Sequence, residues 1–353
     1  VILDSLGTGA LAAIFAAAAA IVWAAGIRLS STTDILSERY GLGEALGGVI
    51  LLAIATNLPE IAITASAAWT GDVDIAVGNI LGGIAIQTVV LALLDGFGMK
   101  QKAPLTYRAA SLVLILEAAL VIAVLTVAIM GTQLPPTLIV ARVAPGGLLI
   151  ALFWVAGLWL IARANKRLPW QDKGDAPDTQ RTNKGATAKE GKSGVGTARA
   201  IAVFAIAAGL TLAAGIALEE TGTLLAARLG MSGVVFGATL LAAATALPEV
   251  STGLAAMKLR DFEMAVSDIF GGNAFLPVLF LPATMISGKA VLPRAGASDV
   301  YLAALGILLT CIYVAGLIFR PKRRLLGIGA DSLAVVILYA VGIAGLIAIP
   351  GGG

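Results

Sequence analysis

The 353-residue chain has no histidine and a single cysteine, Cys311. The first absence excludes imidazole metal ligands and histidine proton relays. The second excludes a disulfide framework and any cysteine-built metal site. Charge is also scarce: Asp, Glu, Lys and Arg together make up 13% of the chain, against about 25% in ordinary soluble domains. Instead 59% of the residues are hydrophobic, and the mean hydropathy is +0.96. Apolar runs of about 20 residues, the length a helix needs to cross a bilayer, recur along almost the whole chain. The expectation is an all-α polytopic membrane protein whose surroundings are lipid. Its pI of 9.0 arises from basic residues in short loops, which orient spans rather than bind nucleic acid. No nucleic-acid partner, required protein partner or resident cofactor is expected. GxGD, GxSxG and HExxH patterns are absent too, so an intramembrane enzyme would lack its nucleophile or catalytic dyad.

Ten spans are predicted, at about 9–27, 43–69, 73–94, 106–130, 137–162, 199–219, 232–257, 262–286, 299–319 and 329–349. The first is read as a spanning helix, because it continues into a full span without a convincing cleavage site. Residues 163–198 form the one long polar stretch, rich in Lys, Gly and Thr. They read as a linker between two five-helix units, 1–162 and 199–353. The linker carries Arg163, Lys166, Arg167, Lys173, Arg181, Lys184, Lys189 and Lys192, which places it in the cytoplasm by the positive-inside rule. Counting outward, the loops with Arg28 and Arg39, with Lys100, Lys102 and Arg108, with Lys258 and Arg260, and with Arg320 to Arg324 also fall inside. Both termini then lie outside. A bacterial or archaeal plasma membrane is the expected location.

The chain repeats itself. Shifted by 189 residues, GLGEALGGVILLAIATNLPE (41–60) lies on GMSGVVFGATLLAAATALPE (230–249), matching at ten of twenty positions. In the same register AVGNILGG (76–83) meets AVSDIFGG (265–272). The repeats extend over about 41–94 and 230–286. Five spans separate the copies, and an odd number turns one copy upside down relative to the other. Inverted repeats with interrupted helices and a midplane site are the architecture of secondary transporters.

The polar residues inside these repeats carry the chemistry. Pro59 and Pro248 lack an N–H and disturb the carbonyls four residues earlier, which in a bilayer must be satisfied or line a cavity. Glu60 and Glu249 follow at once. A carboxylate at this depth costs about 3 kcal/mol or more, and such residues mark ion or proton pathways. Two converging carboxylates repel when ionised, and a cation or a proton relieves the repulsion. Thr56 and Thr245 lie one turn before each glutamate. Asn79 and Asp268 are matched positions on the following helices, with Gln87 and Asn273 nearby. Carboxylates, hydroxyls and amides are hard oxygen donors that suit Ca²⁺ and Na⁺ and not soft metals. Elsewhere, Glu117 interrupts an apolar run with no partner evident in the sequence, and reads as a structural or protonated group or as part of a proton route. Arg142 is expected to snorkel, and the 320–324 cluster to anchor topology.

TNLPE followed by GNILGGIAIQ, and TALPE followed by SDIFGGNAF, resemble the two α-repeats of the cation/Ca²⁺ antiporter superfamily, which includes Na⁺/Ca²⁺ and H⁺/Ca²⁺ exchangers. Its pattern is GTSxPE and then GNxxGSNxxN. The resemblance covers nearly all of the chain except the linker. It implies alternating access, with Ca²⁺ and a counter-cation competing for one midplane site. Glu60 and Glu249 match its central carboxylates, Thr56 and Thr245 its threonine ligands, and Ala53 and Ala242 positions that offer backbone carbonyls. This chain departs from the pattern in several places. Where the family has the serine of TS, it has Asn57 and Ala246; for the serine of GS it has Gly83 and Gly272. The closing Asn or Asp is Gln87 in one copy and Leu276 in the other, and the GN asparagine is Asp268 in the second. The implied function is exchange of Ca²⁺ for Na⁺ or H⁺. The missing hydroxyls leave open an H⁺-coupled exchanger with few or no Na⁺ sites; a cation channel on the same fold is a separate alternative, which the inverted repeat argues against. Asn57 and Asp268 are the positions where this chain alters the implied ligand set.

Overall fold

The computed structural model describes residues 3–39, 48–71, 73–98, 103–109, 111–166, 196–231 and 233–349. Most of the linker (167–195), the 40–47 segment and Lys100 and Lys102 lie outside the described residues. The chain is helical almost throughout. Helix α1 is Thr8–Arg39, α2 Gly48–Thr56, α3 Leu58–Thr70, α4 Val73–Leu93, α5 Leu112–Thr132, α6 Pro145–Lys166 and α7 Thr197–Leu229. Then follow α8 (Gly237–Thr245), α9 (Leu247–Lys258), α10 (Phe262–Phe275), α11 (Phe280–Ser287), α12 (Ala297–Phe319) and α13 (Ala330–Ile347).

Eight helical stretches among the described residues are long and apolar enough to cross a membrane, and the bent α8–α9 pair makes a ninth. The protein is therefore a polytopic helical membrane protein. The α2–α3 pair occupies the remaining expected span, in two short pieces parted at Asn57. Several helix ends differ from expectation. Helices α1 and α7 run to Arg39 and Leu229, about ten residues past the predicted ends, so Arg28 and Arg39 lie on a helix and not in a loop. Helix α6 begins at Pro145, because Val140 and Val143 form a bridged turn ahead of it. In that turn Arg142 donates to the Met285 carbonyl at 3.1 Å, which ties the turn to the end of α11. The basic 320–324 cluster is likewise partly structural. Arg324 opens a short hairpin of β1 (Arg324–Leu325) and β2 (Ile328–Gly329) and donates to the Asp95 carbonyl at 2.8 Å.

Burial separates centre from rim. The protein itself buries 78% of the apolar window in Ile75–Gly98 and 67% of that in Phe262–Ser287, but 28% of those in α1, α6, α7 and α13. Exposed Leu152, Phe153, Val155 and Trp159 on α6, and Ile206 and Leu210 on α7, form an apolar exterior of the kind lipid requires. Helices α4 and α10 thus sit in the middle and the long pair α1 and α7 at the edge, packed against each other.

The two halves match in register. Thr8 and Thr197 open the long helices, Asn57 and Ala246 mark the breaks, and Val73 and Phe262 open the central helices, each pair 189 residues apart. Contacts between the halves are reciprocal. Helix α2 lies against α10 and α8 against α4. Gly26 of α1 faces Pro248, where an added Cβ would stand 2.9 Å from the proline Cα; its counterpart Gly215 of α7 faces Pro59, with 3.1 Å to the Cα. Each long helix is thus held against the proline that breaks a helix of the other half, and glycine is what permits the approach. Overpacking such a contact costs about 1–3 kcal/mol. Gly26→Ala and Gly215→Ala should therefore lower the thermal unfolding midpoint in detergent. Gly209→Ala, on α7 with open space at its Cβ, should leave the midpoint unchanged or raise it through helix propensity. Equal shifts in all three would refute the contact.

Candidate cation site

Both broken spans are built alike. Asn57 (φ −87°, ψ 15°) and Ala246 (φ −78°, ψ 3°) leave the helical path, and Pro59 and Pro248 stand in the first turn of the helix that resumes. Proline is tolerated there because that N–H has no intrahelical acceptor to lose. The second pair bends by 51°. Glu60 and Glu249 consequently fall in the first turns of α3 and α9. The aligned peptide dipoles make this end of a helix positive, which favours a carboxylate.

Glu60, Glu249, Gln87, Asn57, Thr56 and Thr245 are all completely buried. The Gln87 side-chain nitrogen sits between the two carboxylates, donating to Glu60 Oε1 at 3.3 Å, Glu249 Oε1 at 3.4 Å and Asn57 Oδ1 at 3.1 Å. An amide has two hydrogens, so three acceptors share them. The second oxygens, Glu60 Oε2 and Glu249 Oε2, are buried without a hydrogen-bond partner, as is Gln87 Oε1. The threonines cross over. Thr245 faces Glu60 and Thr56 faces Glu249, while each hydroxyl also donates to its own helix, Thr56 to Leu52 at 3.1 Å and Thr245 to Ala242 at 3.2 Å. The single proton of each hydroxyl is thus shared between a carbonyl of its own helix and the opposite carboxylate. The centre is short of positive charge and rich in acceptors, which is what a hard cation requires.

Other candidates stand around this centre. Asn79 reaches the Glu60 backbone carbonyl at 3.4 Å and the Thr64 hydroxyl at 3.5 Å, bracing the helix that carries Glu60. Asp268 accepts from Thr252, and its charge is felt at Glu249. Asn273 donates to Thr88 at 3.1 Å, and its own oxygen is buried without a partner. The Ala53 carbonyl accepts from the Asn57 side chain at 2.7 Å and the Asn57 backbone at 3.3 Å, and that of Ala242 accepts from the Ala246 backbone at 3.0 Å. Both carbonyls are thus engaged within their own helices. Among the described residues no three acidic side chains converge on one point, so the oxygens of a full cation shell must include hydroxyls or amides. Sequence reasoning passed over Thr252, although it follows Glu249 by three residues and so shares its helix face.

The departures from the repeat pattern fit one another in space. An added Cβ on Gly272 would stand 2.8 Å from Asn57 Nδ2 and 3.6 Å from Gln87 Oε1. The larger residue in one repeat thus faces the smaller one in the other. Gly83 stands in the same relation to Leu276, 3.7 Å from its Cδ1.

The family described as "Sodium/calcium exchanger protein" matches this chain over residues 10–163 and 199–348. Similar curated proteins include "Inner membrane protein YrbG" of Escherichia coli strain K12, 26% identical over 275 residues, which span 74% of this chain and 76% of that protein. Another is "Putative antiporter CaxA" of Alkalimonas amylolytica, 26% identical over 310 residues, 86% of this chain and 89% of that one. Among solved structures, the fold resembles the sodium-calcium exchanger NCX_Mj soaked with 10 mM Na⁺ and zero Ca²⁺, with TM-score 0.63 and 16% identity over 96% of this chain and 100% of that one. It equally resembles the H⁺/Ca²⁺ exchanger CAX, with TM-score 0.63 and 16% identity over 96% and 82%.

If Asn57 and Gly272 are a fitted pair, their substitutions will not add. Gly272→Ala should destabilise the protein, and Asn57→Ala in the same chain should recover part of the loss. The coupling expected for residues in contact is about 0.5–3 kcal/mol, read from thermal unfolding of the two single variants and the double. Strict additivity would rule the pairing out.

Proposed function

The chain belongs to the sodium/calcium exchanger family, and on that premise we propose that it is a secondary active antiporter carrying Ca²⁺ against protons. One observation supports the reading above the others. Two fully buried carboxylates, one from each half, meet around a single amide, and each keeps one oxygen without a partner. Together they supply a charge of −2, which one Ca²⁺ neutralises and two protons neutralise equally well. The same site can therefore serve both in turn, which is the physical requirement for exchange. Ca²⁺ takes about 6–8 oxygens at about 2.3–2.6 Å. Glu60, Glu249, Thr56, Thr245 and the bare oxygen of Gln87 would begin that shell, with Asp268 behind Glu249. No covalent step is involved, so the protein acts as a transporter and not as an enzyme.

Three features favour the proton over Na⁺ as counter-ion. The Ala53 carbonyl is taken by the amide of Asn57. Gly83 and Gly272 bring no hydroxyl. Leu276 places an alkyl chain where the first repeat has Gln87. Each removes an oxygen that a second or third monovalent cation would need, and none hinders a proton on a glutamate. In this reading ten spans form two five-helix halves, 1–162 and 199–353, inverted across the membrane, with 163–198 in the cytoplasm and both termini outside. Transport proceeds by movement of one helix group against the other around the fixed site. The long α1 and α7, which touch the prolines of the broken spans, are suited to be the moving pair.

Purified protein in liposomes is the direct test. An imposed pH gradient should drive ⁴⁵Ca²⁺ uptake and an imposed Na⁺ gradient should not. Glu60→Gln and Glu249→Gln should each reduce uptake by about a hundredfold or more, since each removes half of the compensating charge. Restoring serine at both departures, Asn57→Ser with Gly272→Ser, should introduce a measurable Na⁺-driven component. Uptake unaffected by Glu60→Gln would sink the site; uptake driven by Na⁺ alone would sink the choice of counter-ion.

A further inference from the structure

Glu117 lies outside this site and takes no part in it as described. It sits in the second turn of α5 and is 6% exposed. One carboxylate oxygen accepts from the Ser267 hydroxyl of α10 at 2.9 Å, and the other is buried without a partner. The charged groups on the elements packed against α5 are Arg163 and Lys166 on α6, Glu263 and Asp268 on α10, Asp299 on α12, and Arg294 in the short turn Leu292–Arg294. Glu263 is the one whose charge acts on Glu117 among the side chains described, and it carries the same sign. No Lys or Arg among the described residues is paired with it. An ionised Glu117 would thus have one hydroxyl to offset its charge inside an apolar helix bundle, where an unpaired carboxylate is costly.

Its neighbours line up in two directions. Toward the cation site, Ser267 is followed in the chain by Asp268. Asp268 is bonded to Thr252, and Thr252 donates to the Glu249 carbonyl at 3.1 Å. Toward the aqueous edge, half-buried Glu263 lies one helical turn before Ser267, next to the exposed turn Lys258–Arg260. Glu263, Ser267 and Asp268 thus place polar side chains along α10 between the exposed turn and Thr252, with Glu117 the one carboxylic acid on α5, bonded to the second of them.

We propose that Glu117 is a second, proton-binding site, which takes up and releases a proton between the aqueous edge at Glu263 and the cation site during exchange. The proposal rests on the proton-coupled reading above. A proton crosses from water to the Glu117 carboxylate and leaves it again, with no bond other than O–H made or broken.

The experiment compares two fluxes in the same liposomes. One is ⁴⁵Ca²⁺ uptake driven by a pH gradient, measured across a series of pH values. The other is ⁴⁵Ca²⁺/Ca²⁺ exchange at equal pH, which needs no net proton movement. Glu117→Gln keeps the size of the side chain and its bond to Ser267 but cannot ionise. It should lower pH-driven uptake by about tenfold or more and flatten its pH profile, as loss of a positioned proton carrier does, while leaving Ca²⁺/Ca²⁺ exchange within about twofold of the parent. Glu117→Asp should restore a pH-dependent profile. A Glu117→Gln protein with the parent pH profile overturns the proposal, and so does one that loses both fluxes in proportion, which marks a packing role. Glu60→Gln run alongside separates the two readings: it should abolish both fluxes, and if it abolishes neither, the site itself is misassigned.

Discussion

Two carboxylates held completely away from water are the constraint on which the rest of this molecule turns. Glu60 and Glu249 are buried side by side with no lysine, arginine or histidine paired to them among the described residues. Ion pairing is thus unavailable, and weaker positive ends replace it. Each glutamate occupies the first turn of a helix that restarts after a break, where unpaired N–H groups and the helix dipole point at it. The Gln87 amide lies between them. None of these supplies a full charge, so the centre stays deficient in positive charge, and that deficit is what a mobile cation can fill.

The breaks themselves depend on support from a distance. A proline in a membrane helix weakens the backbone bonding on its N-terminal side, and the neighbours must hold the two pieces in place. Gly26 and Gly215 do so reciprocally, each bringing a long peripheral helix into contact with the proline of the other half. The crossing of the threonines, Thr245 toward Glu60 and Thr56 toward Glu249, obeys the same exchange rule. The two buried carboxylates thus each depend on a side chain from the other half.

The places where this chain departs from its family's pattern are correlated in space. Asn57 is larger than serine and Gly272 is smaller, and they touch. Leu276 is apolar where an amide or carboxylate is usual, and it packs toward Gly83, which has lost a hydroxyl. In each pair a larger side chain stands opposite a glycine, so volume lost on one side is filled from the other while hydroxyl groups are lost.

Several features were determined by the sequence itself. Apolar runs of bilayer length announced the helices, because lipid offers backbone groups no partner but their own helix. The 189-residue register announced the two broken spans and paired Glu60 with Glu249. Helix ends were less legible: α1 and α7 continue past the apolar core into polar residues that helix geometry tolerates at a membrane surface, so hydropathy alone could not find Arg39 or Leu229. The tertiary structure decided what composition could not encode. It placed Gln87 between the carboxylates, tied up the Ala53 carbonyl with Asn57, joined Asp268 to Thr252, and gave Glu117 its serine. All but the Ala53–Asn57 bond, which spans one turn, join residues far apart in the chain. A linear pattern records which donors and acceptors exist, whereas packing alone sets which of them meet and which buried oxygens are left without a proton to accept.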